Sequence, residues 1–175
     1  MMDFSLQTKI QNELLDLKDN PIQFIGMSAG LVNMNDLRTW KICMLAPKDC
    51  LYKDNLFSLT INFPNDYPKA PPEIFFVTPI YHLNVNPIPP RYVYDPPLGY
   101  VNIKQLGFWY PGAPIKEIIL HIYSLFYYVD INCPYNDTIL DEYLNNRKIY
   151  EEKVDKLSRK NNIFINQNQL ANWNF

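Results

Sequence analysis

The chain has 175 residues, of which 47% are hydrophobic and 15% aromatic, and its formal net charge is −2 at pH 7. A chain of this length is expected to form one soluble domain whose core buries roughly 70% of the surface that the unfolded chain exposes. No run of basic residues is interleaved with aromatic residues, so the sequence predicts no nucleic-acid partner.

The three cysteines, Cys43, Cys50 and Cys133, have spacings that suit neither a disulfide framework nor a zinc site. The sequence therefore predicts no metal, no cofactor and a reducing compartment. The first residues have neither a secretory signal pattern nor an Arg-rich transit pattern, and no segment approaches the roughly 20 apolar residues that cross a bilayer. We expect a cytoplasmic or nuclear protein, and import into an organelle without a recognisable presequence stays open.

The N-terminal segment has apolar residues at helical spacing, which predicts an amphipathic helix. Its apolar stripe consists of Leu6, Ile10, Leu14 and Leu17. Ser5 or Asp3 can cap this helix, and Asn20-Pro21 ends it. The alternating segment 40–44 then predicts a strand, and 46–49 predicts a turn.

A period-2 pattern over residues 57–63 predicts a strand with one buried face. That face consists of Phe57, Leu59, Ile61 and Phe63. Proline cannot donate to the ladder, so this strand ends at Pro64, and the next strand, 73–77, begins only after Pro71 and Pro72.

Two helices are predicted in the last third of the chain. The first begins at Pro114 and should be the most buried helix, because a wide apolar face is formed by Ile115, Ile118, Ile119, Ile122, Leu125 and Phe126. The second is one long helix from Asp137, with a stripe formed by Tyr143, Arg147, Tyr150, Val154 and Leu157. The tail, residues 161–175, is polar but ends in Trp173 and Phe175, which are candidate partner contacts.

Several landmarks follow one another in a characteristic order: Tyr52, the alternating strand, Phe63-Pro64-x-x-Tyr67-Pro68-x-x-Pro71-Pro72, then Ile80-Tyr81-His82-x-Asn84 and Trp109-x-Pro111. This order resembles the ubiquitin-conjugating enzyme domain over roughly residues 8–160. The resemblance implies an α+β fold: an N-terminal helix, a four-stranded antiparallel meander sheet, a buried helix and a long C-terminal helix. It predicts a domain at 1–160, with a proline-rich insertion at 86–99, and a C-terminal tail at 161–175.

The family pattern at the active site is a glycine, two residues, and then the cysteine that carries ubiquitin as a thioester. Here Gly99 is followed by Asn102 at the cysteine position, and Lys104 replaces the usual aspartate. A carboxamide can neither attack the activated carboxyl group nor leave as a thiolate does. Residues 86–114 contain no Cys, Ser or Thr that could replace it. The sequence therefore predicts a protein that resembles a ubiquitin-conjugating enzyme but is not an enzyme.

Other positions of this chain match the family's active site in part. Asn84 matches the asparagine thought to support the oxyanion, but without a nucleophile we favour a structural role in which it holds the adjacent loop by hydrogen bonds. Asp137 lies near the acidic position that orients the acceptor lysine, and we favour a helix cap instead. His82 and His121 are interpreted as packing residues.

The surfaces that bind ligases in the family are altered here. Lys69 replaces an aromatic residue that inserts into the ligase, and the first helix lacks the usual basic surface. The second contact loop keeps Trp109 and Pro111, which are binding candidates, around a bulky Tyr110. Docking in the usual mode is therefore disfavoured.

The insertion at 86–99 has five prolines and is interpreted as a stiff, extended arm. Its segment Pro89-Pro90-Arg91-Tyr92 is similar to the short ligands of WW domains, which makes these four residues binding candidates. The alternative is a loop that packs its tyrosines on its own domain or on a neighbour.

Two functional classes follow, and a third stays open. The chain is either an accessory or structural subunit of a larger protein complex, or a regulatory variant that partners ubiquitin or an active conjugating enzyme. The third interpretation is an active conjugating enzyme that uses Cys133 or Cys50. Loss of the cysteine, of the ligase-contacting aromatic and of the basic helix favours the subunit.

Overall fold

The computed structural model describes residues 4–23, 25–93 and 95–168. The elements follow one another as α1 (Phe4–Asp19), β1 (Met27–Asn33), β2 (Asp36–Leu45), β3 (Leu56–Asn62), β4 (Glu73–Phe76), β5 (Tyr100–Val101), α2 (Ile115–Ser124), α3 (Asp137–Asn145) and α4 (Arg147–Asn168). This is the predicted α+β arrangement. Within the described residues no helix is long and apolar enough to cross a membrane.

The five strands form one antiparallel meander in the order β1-β2-β3-β4-β5. The meander was predicted with four strands, and the fifth is the two-residue β5, in which Tyr100 pairs with Phe75 and Val101 with Ile74. Two residues are too few to display an alternating pattern, so β5 leaves no periodic signal in the sequence.

The core lies between the sheet, α1 and α2. All four residues of the predicted α1 stripe are buried, and so are all six residues of the predicted α2 face. The predicted inner face of β3 is buried as well. Aromatic rings fill the centre, where the Phe57 and Phe126 ring centroids lie 5.1 Å apart and Trp40 meets Phe63 at 4.6 Å. Both predicted periodicities are therefore confirmed.

Buried hydroxyl groups attach α4 to this core. The Tyr52 and Tyr150 hydroxyl oxygens lie 3.0 Å apart, and the Tyr52 hydroxyl donates to the Tyr81 carbonyl oxygen at 2.8 Å. If Tyr52 donates to Tyr81, Tyr150 donates to Tyr52, and each buried hydroxyl has a partner. Further out, the Glu142 carboxylate accepts from the Tyr81 hydroxyl at 2.7 Å and pairs with Lys153.

The single long helix predicted from Asp137 is wrong, because the structure has two helices that meet at Asn146. The Asn146 backbone departs from helical geometry, with φ −133° and ψ 49°. Its N–H still closes α3 on the Glu142 carbonyl, and its own carbonyl accepts from Ile149 and Tyr150 to begin α4. Asparagine tolerates such conformations better than most residues, since its short amide competes with the helix for hydrogen bonds.

The predicted boundary between domain and tail at residue 160 falls inside α4, which continues to Asn168. The Asn161 amide donates to the Pro79 carbonyl at 2.8 Å and so ties this part of α4 to the loop after β4. The candidate contacts Trp173 and Phe175 lie outside the described residues.

Candidate functional site

The structure brings Asn84 and Asn102 together at the end of the sheet. Val85 forms an antiparallel bridge with Val101, and the Asn86 N–H donates to the Tyr100 carbonyl at 2.9 Å. Asn84 precedes Val85 and Asn102 follows Val101, so the two asparagines flank the same end of this antiparallel bridge. The two positions that the sequence assigns to a degenerate site are therefore neighbours.

Asn102 closes a short turn with both ends of its carboxamide. Its Oδ1 accepts from the Gln105 N–H at 3.1 Å, and its Nδ2 donates to Gln105 Oε1 at 3.2 Å. The Asn102 carbonyl accepts from the Leu106 N–H at 3.0 Å. This is typical turn chemistry for asparagine, and it leaves no nucleophilic atom at this position.

Asn84 is buried and its side chain binds the segment after α2. Its Nδ2 donates to the carbonyls of Asp130 at 2.8 Å and Cys133 at 2.9 Å, while its Oδ1 accepts from the Asp130 N–H at 2.9 Å. Both amide hydrogens are thus used within the protein. The geometry matches the loop-holding role that the sequence favours over an oxyanion donor.

His82 is a buried, neutral residue that contacts the backbone of Asn84. Its Nδ1 accepts from the Asn84 N–H at 3.0 Å, so Nε2 carries the proton and donates to the Leu125 carbonyl at 2.9 Å. Burial lowers the pKa of His82 from 6.5 to about 4, although the bond to Leu125 opposes that shift. His82 is therefore a fully bonded packing residue.

Cys133 is the described cysteine whose sulfur reaches the Asn102 turn. Its Sγ lies 3.7 Å from the Gln105 carbonyl oxygen, and the residue is half-buried. Burial raises the pKa of the Cys133 thiol, and the nearby Asp130 carboxylate raises it further. A thiol held protonated in this way is a poor nucleophile at neutral pH.

The other two cysteines lie in different elements. Cys43 is buried within β2, and Cys50 lies in the turn between β2 and β3, where its Sγ donates to the Pro47 carbonyl at 3.2 Å. Burial raises the pKa of both thiols. Neither sulfur has the environment of an activated thiolate.

The cap of α3 differs from the prediction. Asn136, rather than Asp137, accepts from the N–H groups of Thr138 at 2.8 Å and Ile139 at 3.2 Å. Asn136 has the extended backbone that a capping residue needs, with φ −152° and ψ 127°, whereas Asp137 is already the first helical residue. Asn136 and Asp137 both favour a cap, so composition could not separate them. The Asp137 side chain is exposed.

The sequence predicts His121 as a packing residue inside an apolar helix, whereas the structure places it on the half-exposed side of α2. Its side chain is 43% exposed, its Nε2 lies 3.8 Å from a Glu117 oxygen, and its ring stacks on Phe108 with centroids 4.9 Å apart. Position 121 follows Glu117 by four residues and so shares its polar face of α2.

The base of the proline-rich loop is tied by Asn86 and Gly99. The Gly99 N–H donates to the Asn86 carbonyl at 2.8 Å. The buried Asn86 amide also donates to three carbonyls at 3.0 Å each, those of Ile88, Pro96 and Pro97. The Asn86 side chain therefore fixes both ends of the loop, a role that no sequence pattern predicts.

The tip of the loop projects from the domain. Pro89, Pro90 and Arg91 are exposed, and Tyr92 is 75% exposed. The Asp95 carboxylate accepts from the N–H groups of Arg91 at 2.8 Å and Tyr92 at 2.9 Å. The tip is therefore a turn rather than a continuous extended arm, and Tyr92 does not pack on its own domain.

The two loops aligned with the ligase surface lie side by side. The Gly112 N–H donates to the Pro68 carbonyl at 3.2 Å, which joins the loop of Trp109 and Pro111 to the first proline loop, residues 64–72. Lys69 and Pro111 are exposed, and Trp109 is half-buried. The Trp109 Nε1 is buried without a hydrogen-bond partner among the described residues.

The fold is an α+β domain with an N-terminal helix, an antiparallel meander sheet and C-terminal helices, and an asparagine occupies each of the two site positions. Comparison with known proteins identifies the class to which this domain belongs. The family model described as ubiquitin-conjugating enzyme matches residues 9–158. The chain belongs to the ubiquitin-conjugating enzyme family.

Named relatives agree over nearly the same span. The chain is similar to ubiquitin-conjugating enzyme E2 13 of Arabidopsis thaliana, with 31% identity over 160 residues, 86% of this chain and 92% of the relative. It is 29% identical to ubiquitin-conjugating enzyme E2 15 of Schizosaccharomyces pombe over the same shares. It is 27% identical over 157 residues to the probable ubiquitin-conjugating enzyme E2 7 of Caenorhabditis elegans, covering 86% of this chain and 93% of the relative.

Proposed function

We propose that this protein is a non-catalytic member of its family that serves as a binding or structural accessory subunit of a larger protein assembly. The observation that carries the proposal is the environment of Asn102. Its carboxamide occupies the position where the family pattern has a thioester-forming cysteine, and both of its polar atoms bond Gln105. Ubiquitin transfer needs a sulfur that attacks and then leaves, which an amide cannot provide.

The described cysteines give little support to a substitute nucleophile. Cys133 lies nearest to the Asn102 turn, yet partial burial and the Asp130 carboxylate disfavour its thiolate. The Asn84 amide, which would be the oxyanion donor, already donates to the Asp130 and Cys133 carbonyls. A transition state would have to break those bonds to use it.

The contact surfaces of such a subunit are the exposed loop tip and the loop of Trp109. The candidate residues are Pro89, Pro90, Arg91, Tyr92, Trp109 and Pro111, together with Trp173 and Phe175 in the part of the chain outside the described residues. Tyrosine, tryptophan and arginine are enriched where proteins bind one another.

A second candidate function is a regulatory variant that positions ubiquitin or an active conjugating enzyme. The loop of Trp109 and Pro111 favours it, since this loop remains joined to the first proline loop through Gly112 and Pro68. The exposed Lys69 weighs against the usual ligase contact. Placing its charged amine in an apolar pocket would cost several kcal/mol of desolvation free energy.

Two experiments test the proposal. Native protein is purified under mild conditions and analysed by size-exclusion chromatography and mass spectrometry. In parallel, the recombinant chain is incubated with activating enzyme, ubiquitin and ATP, next to an active conjugating enzyme as the positive control. The proposal expects a stoichiometric complex of unrelated subunits and no ubiquitin adduct that an added thiol cleaves by exchange.

The opposite results are equally clear. A small complex with ubiquitin or an active conjugating enzyme supports the regulatory variant. A thiol-sensitive adduct contradicts the non-catalytic role, and its loss in Cys133→Ser but not in Cys50→Ser or Cys43→Ser assigns the sulfur that forms it.

A further inference from the structure

A cleft of about 530 Å³ lies apart from the Asn102 turn. One wall is the turn from Lys48 to Lys53 between β2 and β3, and the other is the segment after α2 together with the start of α4. Its volume falls within the range of sites that bind small ligands or short peptide segments.

The rim of this cleft is positively charged. Lys48, Lys53 and Arg147 line it, and Asp49 is the carboxylate among the lining residues. The Tyr127 hydroxyl donates to Asp49 Oδ1 at 2.7 Å, so this carboxylate is already engaged across the cleft. Neither lysine forms an ion pair with another described residue, and both are exposed. Three cations and one carboxylate therefore line the cleft, in a chain whose net charge is −2.

Arg147 is held in place at the edge of the cleft. Its guanidinium carbon lies 4.4 Å from the centroid of the Tyr143 ring, and its Nε pairs with Glu151 at 2.8 Å. Stacking on an aromatic face restricts the guanidinium, so less conformational entropy is lost when it binds an anion. Glu151 neutralises part of this charge, and the two lysines are the rim cations that form no ion pair among the described residues.

Aromatic and aliphatic side chains lie inside the cleft, below the charged rim. Tyr52 and Tyr150 form the floor, and their buried hydroxyls bond each other at 3.0 Å. Leu51 is 40% exposed and Tyr127 is 47% exposed along the walls. The buried Asn55 holds the lysine turn, since its Nδ2 donates to the carbonyls of Tyr52 at 2.9 Å and Lys53 at 3.1 Å. The cleft is therefore preformed in the free chain.

We propose that this cleft binds an acidic peptide segment of a protein partner, with one apolar side chain on the tyrosine floor and flanking carboxylates at Lys48, Lys53 and Arg147. The charge of the rim selects carboxylates, and the apolar side chains inside the cleft favour a peptide over a small inorganic anion. The site is separate from Asn102, so it stands whether or not the chain forms a ubiquitin thioester.

The test uses the full recombinant chain and a fluorescein-labelled peptide in which phenylalanine lies between two runs of glutamate. Fluorescence polarisation is expected to show saturable binding that weakens with added salt. Lys48→Glu and Lys53→Glu should each weaken it about tenfold, because each puts a like charge at the rim. Lys41→Glu is the matched control, since it makes the same charge change at an exposed position of β2, and it should change the affinity less than about twofold.

Alkylation of the cysteines locates the bound peptide. Cys50 lines the cleft, so saturating peptide should slow its alkylation several-fold, while Cys133 near the Asn102 turn should react as before. The proposal is overturned if no saturable binding occurs, if Lys41→Glu weakens binding as much as Lys53→Glu, or if Cys50 is not protected. Tighter binding of a single-stranded oligonucleotide than of the peptide would also overturn it.

Discussion

The carboxylate of Glu13 in α1 accepts a hydrogen bond at 2.8 Å from the N–H of Ile115, the first residue of α2. Its other oxygen accepts from the Tyr67 hydroxyl at 2.8 Å and pairs with Lys9 at the same distance. One side chain thus caps α2 and connects it to α1 and to the first proline loop. An anion at a helix N-terminus is also favoured by the helix dipole.

Replacing Glu13 should therefore destabilise the fold from a single position. We expect Glu13→Ala to lower the free energy of unfolding by about 2–3 kcal/mol, because it leaves the Ile115 N–H and the Tyr67 hydroxyl without their charged acceptor. Urea denaturation measures this change. The control Glu152→Ala removes an exposed carboxylate of α4 and should cost less than about 0.5 kcal/mol. Equal losses in the two variants would contradict the capping role.

Gly99 closes the proline-rich loop at a position that excludes any side chain. It has φ +82°, and a Cβ there would lie 2.1 Å from the Phe76 carbonyl oxygen. Gly99→Ala should lower the free energy of unfolding by about 3 kcal/mol or more, since the clash is with backbone of the sheet. In Gly107→Ala the φ of +72° is similar but nothing lies within 4 Å of the added Cβ, so we expect a loss of about 1 kcal/mol.

The pair separates two causes of destabilisation. If the positive φ alone mattered, the two alanine variants would unfold at the same denaturant concentration. A clear difference between them shows that the approach of Gly99 to β4 is what requires glycine. Proton exchange of the Phe76 amide, which donates to the Gly99 carbonyl at 2.9 Å, reports the same contact locally.

Periodicity predicted the parts of the fold that bury one continuous face. The α1 stripe, the inner face of β3 and the apolar face of α2 could all be read because each repeats over several turns or pleats. The two-residue β5 and the break at Asn146 could not. The first is too short to repeat. The second is marked only by Asn145-Asn146, a weaker helix-end signal than proline or glycine, and the predicted stripe continues across it.

The order of motifs predicts that Asn84 and Asn102 belong to one candidate site, and it carries no information on their hydrogen bonds. It could not show that Asp130 supplies both a carbonyl and an N–H to Asn84, because this contact spans 46 residues. The role of Asn86 could not be predicted either, because its carbonyl partners come close only when the loop has closed.

The two site asparagines should differ sharply in their contribution to stability. Asn84 is buried and makes three hydrogen bonds to residues 130–133, so Asn84→Ala leaves buried backbone groups without partners. We expect a loss of about 3 kcal/mol and faster hydrogen exchange in that segment. Asn102→Ala removes two exposed hydrogen bonds to Gln105 and should cost about 0.5–1 kcal/mol. Comparable losses would contradict the loop-holding role of Asn84.

His82 should make the stability of the protein depend on pH. Its pKa is about 4 in the folded chain against 6.5 as the ordinary value, so the unfolded chain binds a proton that the folded chain does not between these values. The contribution of neutral His82 to the free energy of unfolding is therefore fully present above about pH 7, and it is lost as the pH falls through 6.5 toward 4. At pH 5 the loss relative to pH 8 should be about 2 kcal/mol.

Urea denaturation at a series of pH values between 5 and 8 measures this loss, and substitutions assign it. The carboxyl groups with lowered pKa values, Asp16, Asp36, Asp130 and Glu142, have ordinary values of 3.8 or 4.5 and contribute mainly below this window. His82→Gln should remove the pH dependence even though it lowers stability overall, because the titrating ring is gone. His121→Gln should retain the dependence, since that ring lies on the exposed face of α2. A slope that survives in His82→Gln would show that another group binds the proton.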